Sequence, residues 1–290
     1  MPTSLFLQKV IDHLGFTGFK NPKDNKIHTI HNTMKEFVLS GSNLNLRILS
    51  DKAFEVTMSV ETYSKALAAD YFFSTQKVDK QKSCIEMFKD SALPLSWLIV
   101  TLYYGCFYSA VEVLRLTGSY CSYFSKDDCQ EIRSISSNSV NLSSGNYLGT
   151  VTTDNGYIKI VFRQKVLGSH ELVWDGIKKL VLTFDLSDIP MKKVSKLEFF
   201  SDVFKNQIDI EYPNVVRNKW NYSKSDAYSP EANAKYGKFR ACLTDLSHAL
   251  SLDLSHKKND VELNNILFIW VLYSSLSSTI SNVSSRFATS

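Results

Sequence analysis

Between Tyr212 and Ser223 the chain reads Tyr-Pro-Asn-Val-Val-Arg-Asn-Lys-Trp-Asn-Tyr-Ser. If Pro213 starts a helix, Arg217, Asn218, Asn221 and Tyr222 fall within little more than one turn of it. An Arg presents a planar fork of donors that suits a phosphate, and a polar residue four or five positions later projects from the same face. Lys219 adds a second cation, and Lys219 and Asn221 are the expected substrate-binding neighbours of Arg217, Asn218 and Tyr222. The plainer alternative is a solvated helix with Trp220 tucked inward. Other constellations are weaker. His28-Thr-Ile-His31 puts two imidazoles on adjacent turns, yet no Cys, Asp or Glu stands at matching offsets, so no metal site is expected. Gly168-Ser-His-Glu171 sets a Ser beside a His, which reads as a helix start, because sequence neighbours do not make a catalytic pair. Ser125-Lys-Asp-Asp128 reads as a capping box, so Asp127, Asp128 and Glu131 are first-turn residues favoured by the helix dipole. The sequence has no GxGxxG after a strand, GxxxxGK[ST], GxSxG or HExxH, which removes the common nucleotide-binding, hydrolase and zinc-protease readings.

The elements that would carry Arg217 read mostly as helices. Leu93 to Thr117 is the clearest, with Pro94 suiting its first turn, Gly118 its C-terminal cap, and Glu112 and Arg115 as its only charges. Its middle, Tyr103-Tyr104-Gly105-Cys106-Phe107-Tyr108-Ser109-Ala110, is aromatic and small. Further helices are expected at Leu5 to Leu14, Glu61 to Ser74, Glu171 to Phe184, Lys192 to Ile210, Pro230 to Leu252 and Asp260 to Arg286, with a new start at Pro213. In the Pro230 helix, Tyr236, Phe239, Leu243, Leu246 and Leu250 repeat three and four apart and must pack against another helix. Strand signals are fewer. Leu44, Leu46 and Ile48 alternate, and Gly149 to Phe162 forms a β-hairpin about Asp154-Asn155-Gly156, read as an insertion between helices.

The 290 residues are 44% hydrophobic and 21% charged with 11 Gly and 6 Pro, which excludes disorder and low complexity. A net charge of +4, from 33 basic and 29 acidic residues, is well short of a basic nucleic-acid footprint, so any polyanion must be held by locally placed charge. Cys84, Cys106, Cys121, Cys129 and Cys242 make an odd set with no CxxC, as in a reduced, cytoplasmic protein. Ser91 to Val111 and Leu263 to Ser285 are free of charge for about the 20 residues a bilayer needs, but Ser, Thr, Asn and Pro within them favour buried helices of a soluble bundle.

The Tyr103 to Ala110 helix followed downstream by Arg217-Asn218 and a further amphipathic helix resembles the HEPN family. The resemblance covers about residues 91 to 286. It implies a four- or five-helix bundle in which paired protomers bring two Arg/His motifs to a metal-independent RNA cleft. There the His would take the ribose 2′-OH proton and the Arg would stabilise the phosphorane. Arg217 and Asn218 match the motif, but Asn221, Tyr222 and Ser223 stand where its His belongs. A Tyr with an ordinary pKa near 10 is a poor base at neutral pH, so cleavage would need a strong shift or a His from elsewhere, such as His248 or His256.

The fold class expected is mainly α: a HEPN-like helical bundle with a β-hairpin insertion, residues 91–290, behind a mixed N-terminal region, residues 1–90. The function expected is RNA binding or metal-independent ribonuclease activity in stress or anti-phage defence, with Arg217, Asn218 and Tyr222 in the catalytic positions. The alternative is a non-catalytic helical interaction subunit. RNA and a homodimer or helical protein are the expected partners. No cofactor and no membrane is expected.

Overall fold

A computed structural model describes residues 2–17, 29–89, 91, 93–136, 140–184, 203–205, 211–223 and 261–286. It begins with helices α1 (Pro2–Thr17) and α2 (Met34–Ser40) and strands β1 (Leu44–Ser50) and β2 (Ala53–Ser59). Helices α3 (Val60–Lys89) and α4 (Leu95–Leu116), strand β3 (Ser119–Phe124) and helix α5 (Lys126–Ser136) follow. The rest comprises strands β4 (Gly145–Asp154) and β5 (Tyr157–Lys165) and helices α6 (Ser169–Leu182), α7 (Pro213–Asn218) and α8 (Val261–Arg286).

This is an α+β protein, and the mainly α bundle expected from the sequence is incorrect. The strands form a five-stranded antiparallel sheet in the order β1-β2-β5-β4-β3. The β4–β5 hairpin is part of its centre rather than an insertion. The physical reason is that a two-stranded hairpin is marginal in water, whereas three or more strands with a hydrophobic face are not. β2 supplies Phe54, Val56 and Met58 at every second position, opposite Phe162, Ile160 and Ile158 of β5, and all are buried. Asn155 and Gly156 turn the hairpin with φ of 49° and 81°, the left-handed pair that a two-residue turn of this hand needs.

The chain divides into two compact units. The first comprises Met1–Phe6, Gln76–Ala110 and Ile177–Thr279. Its described core includes Leu98, Ile99, Leu102, Tyr103, Val216, Trp220 and the run Ile266 to Leu272. Phe6 meets Phe184 edge-on at 5.0 Å, and Phe204 meets Phe268 at 5.8 Å.

The second unit comprises Leu7–Thr75, Val111–Gly176 and Ile280–Ser290, and so holds the whole sheet. Four rings fill its core face. Phe54 stacks on Phe162 at 4.8 Å, and Phe124 lies edge-on to Phe54, Phe162 and Tyr147 at 5.3, 5.7 and 5.5 Å. The capping box of α5 forms: Ser125 N–H donates to Asp128 Oδ2 at 2.7 Å, and Asp128 N–H donates to Ser125 Oγ at 3.1 Å.

Leu95–Leu116 and Asn264–Arg286 are long and apolar enough to cross a membrane by length and composition, with 61% and 78% of their most apolar windows buried. A core helix passes the same test, and Ser96, Ser109, Asn265, Ser275 and Thr279 are among their buried residues.

Candidate functional site

The chain turns into a helix at Pro213, where Val215 and Val216 N–H donate to Tyr212 O at 2.9 and 3.2 Å. Pro at the first helical position loses no hydrogen bond, because that N–H would lack an intrahelical acceptor in any case. Pro213, Val216 and Trp220, three and four apart, are buried, whereas Val215, Asn218 and Tyr222 are exposed. Trp220 therefore tucks inward, as amphipathic spacing demands. Beyond Asn218 the backbone widens into a π turn over Lys219–Ser223.

The structure places Arg217 against the aromatic stretch of α4. Its guanidinium carbon lies 5.4 Å from the Tyr103 ring centroid and 5.9 Å from that of Tyr104, within cation–π range. Helical spacing assembles this floor: Tyr103 stacks on Phe107 at 6.2 Å and Tyr104 on Tyr108 at 6.1 Å, each pair four residues apart. Arg217 is half-buried, and among the described residues no carboxylate pairs with it and its buried Nε has no hydrogen-bond partner.

Lys219 is committed elsewhere. Its Nζ lies 3.7 Å from Glu211 Oε2 and 3.7 Å from Glu262 Oε1. Asn265 ties Glu211 to α8, donating from Nδ2 to Glu211 Oε2 at 3.0 Å and accepting Glu211 N–H at 2.9 Å. Arg217 is thus the cation of the motif without an ion pair among the described residues. Asn218 and Tyr222, the latter 76% exposed, face solvent, and Asn221 is half-buried. Arg217 lies against Tyr103 and Tyr104, whereas Asn218 and Tyr222 of the same segment are exposed.

No histidine occurs among the described residues of this unit. His248, His256 and the Tyr236 to Leu250 stripe lie outside the described residues, as do His28 and the Pro230 helix. Among the described residues no group of three or more His, Cys, Asp or Glu could hold a metal ion.

The sheet unit holds a polar cluster that sequence reasoning passed over. On α4, Arg115 Nη1 donates to Glu112 Oε2 at 2.7 Å, and Arg115 Nη2 lies 3.8 Å from Asp70 Oδ1 of α3. Asp70 Oδ2 in turn accepts Met34 N–H at 3.0 Å, and Arg115 approaches the Tyr120 ring at 6.0 Å. Burial opposes the charge on Arg115, but Asp70 and Glu112 outweigh it and hold the guanidinium protonated. Nearby, the His13 ring nitrogen Nε2 and the Tyr63 hydroxyl share a 2.9 Å hydrogen bond. Burial pulls the His13 pKa down to about 4 and pushes that of the Tyr63 phenol up. The cluster links α3 to α4, and Glu112 Oε1 within it is buried without a hydrogen-bond partner among the described residues. The available signal was that Glu112 and Arg115, one turn apart, are the only charges in an apolar helix.

No known protein family, curated protein or solved structure matches the chain.

Proposed function

We propose that the protein binds RNA, with Arg217 receiving a backbone phosphate and Tyr222 and Asn218 meeting the adjoining base and ribose. The observation that carries this is the state of Arg217: a half-buried cation over Tyr103 and Tyr104, with no carboxylate partner among the described residues. A half-buried guanidinium in that condition is best satisfied by an anion, and a phosphate matches its planar fork. Tyr222 is an exposed ring on the same short segment, and unpaired bases stack on such rings irrespective of sequence. The proposal is for binding, since the His that this route uses as its base has no counterpart among the described residues of this unit. It draws on the Arg217-Asn218 part of the HEPN resemblance, without the bundle.

The test is fluorescence anisotropy with a labelled single-stranded RNA at low salt. Binding by the native protein, and at least a tenfold loss in Arg217→Ala at an unchanged melting temperature, is the expected result. Equal affinity of the two proteins, or no binding by either, overturns the proposal. Incubation of unlabelled RNA in EDTA distinguishes binding from cutting: intact RNA is expected, and cleavage lost in Arg217→Ala would return the reading to a ribonuclease.

A further inference from the structure

A groove of about 680 Å³ lies within the sheet unit, where β1, β2 and β5 meet the first turns of α3. Local backbone rules place its lining. Gly41 and Asn43 take left-handed φ of 65° and 58°, reversing the chain from α2 into β1. In the sheet register Asn45 stands opposite Thr57 and Ser59 opposite Tyr157, which puts these side chains on the face away from the Phe54 and Phe162 core. Asn43, Asn45, Thr57, Ser59, Thr62 and Tyr157 are its main polar lining, with Glu61 and Lys65 beside them.

Several of these groups are already engaged. Ser59 Oγ accepts Thr62 N–H at 3.1 Å and contacts its hydroxyl at 3.0 Å, capping α3. Lys65 pairs with Glu61 at 2.8 Å, and Lys159, beside Thr57 on the same face, pairs with Asp154 at 3.3 Å. The Asn43 and Asn45 carboxamides and the Thr57 hydroxyl make no hydrogen bond among the described residues. Tyr157, 54% exposed, has no ring packed against it among those residues.

The groove therefore offers two carboxamides, a hydroxyl and one unstacked aromatic ring, and no unpaired cation. Its volume falls in the range of roughly 300–1,000 Å³ typical of small-molecule sites. A charged phosphate inside it would have Lys65, already paired with Glu61, as its one cation among the lining residues. A flat, uncharged ring with donors and acceptors along its edge finds a stacking partner and carboxamides, which pair with base edges through both N–H and C=O.

We infer that this groove takes the base and ribose of an unpaired nucleotide, stacked on Tyr157 and paired at its edge with Asn45 and Asn43, its phosphates remaining outside. The assignment of that nucleotide to an RNA strand rests on the RNA-binding proposal; the nucleoside site itself does not depend on Arg217.

The full-length protein, carrying ring-labelled tyrosine, is titrated with adenosine and with uridine and followed by NMR. At least one nucleoside is expected to shift the Tyr157 ring resonance saturably. Tyr157→Ala and Asn45→Ala should weaken binding about tenfold at unchanged melting temperature, Tyr157→Phe should retain it, and the remote Tyr123→Ala should not change it. An unmoved Tyr157 resonance, or a shift undiminished in Asn45→Ala, overturns the inference; so does saturable binding of maltose without binding of either nucleoside. Oligoadenylate affinity separates the two sites. A loss in Tyr157→Ala alone upholds the groove and removes the Arg217 proposal, a loss in Arg217→Ala alone upholds that proposal and removes the assignment of the groove to an RNA strand, a loss in both upholds both, and a loss in neither removes the Arg217 proposal and that assignment.

Discussion

Arg115 donates from Nη1 to Glu112 Oε2 at 2.7 Å across one turn of α4, and the Glu112 side chain is entirely buried. A buried carboxylate tolerates the loss of its cation poorly, because the desolvation already incurred is no longer offset. Arg115→Met leaves both Glu112 and Asp70 without it and should cost about 3–5 kcal/mol in urea unfolding. Adding Glu112→Gln should recover part of that loss. A double variant no more stable than Arg115→Met alone would show that Glu112 does not depend on this pair.

The same carboxyl gives a direction for pH dependence. Burial raises the Glu112 pKa, although Arg115 pulls it down. The folded protein then keeps the proton to higher pH than the unfolded chain. The Glu112 contribution is complete below the ordinary carboxylate range near 4.3 and is lost as pH rises through its raised folded value. In Glu112→Gln, stability should fall less steeply with rising pH over that interval than in the native protein, measured as the urea midpoint.

His13 acts in the opposite sense. Its folded pKa is lowered from 6.5 to about 4 by burial, so the unfolded chain binds the proton first. The contribution of neutral His13 is present above pH 6.5 and is lost as pH falls through the folded value near 4. The loss over that window is of order 3 kcal/mol. His13→Leu should flatten the acid limb of a stability profile by that order, and an unchanged limb would place the acid sensitivity elsewhere.

What was legible in the sequence was set by short-range geometry. Pro94 and Gly118 bracket α4, Ser125 and Asp128 cap α5, Asn155-Gly156 turns the hairpin, and Pro213 starts α7, because each depends on residues within one or two turns. The sheet depends on partners far apart in the chain: Phe54 of β2 stands opposite Phe162 of β5, and no local period announces that pairing. β3 is only six residues long and follows directly on the α4 cap, so its Tyr120 and Phe124 gave too short an alternation to read. At the candidate site, the inward Trp220 and outward Asn218 and Tyr222 follow from helical spacing. The capture of Lys219 by Glu262 does not, since it requires α8 to be in place.

Gly149 of β4 lies opposite Phe162 on the core face, and a Cβ built there would come within 2.6 Å of Phe162 Cε1. That ring stacks on Phe54 at 4.8 Å and packs edge-on against Phe124 at 5.7 Å, so it cannot yield without disturbing both. Gly149→Ala should therefore cost about 1–3 kcal/mol as an overpacked core. A thermal melt checks it; a melting temperature equal to that of the native protein would mean that the four-ring cluster can shift as a body.

Arg217 should behave as a residue kept for binding rather than for stability. Among the described residues its buried Nε has no acceptor and no carboxylate offsets the desolvation of its charge. Stacking on Tyr103 and Tyr104 supplies about 0.5–2 kcal/mol of attraction in return. Methionine preserves an unbranched stem and a favourable sulfur contact with the same rings while removing the charge and the unpaired donor. Arg217→Met should accordingly match the native protein in stability to within about 1 kcal/mol, since transfer of the unmet donor and the lost cation–π attraction act in opposite directions. Its affinity for single-stranded RNA should fall at least tenfold, and the slope of log affinity against log salt should decrease by about one, the signature of a single lost phosphate contact. A large loss of stability with an unchanged salt slope would make Arg217 a structural cation, held by its aromatic floor for packing alone.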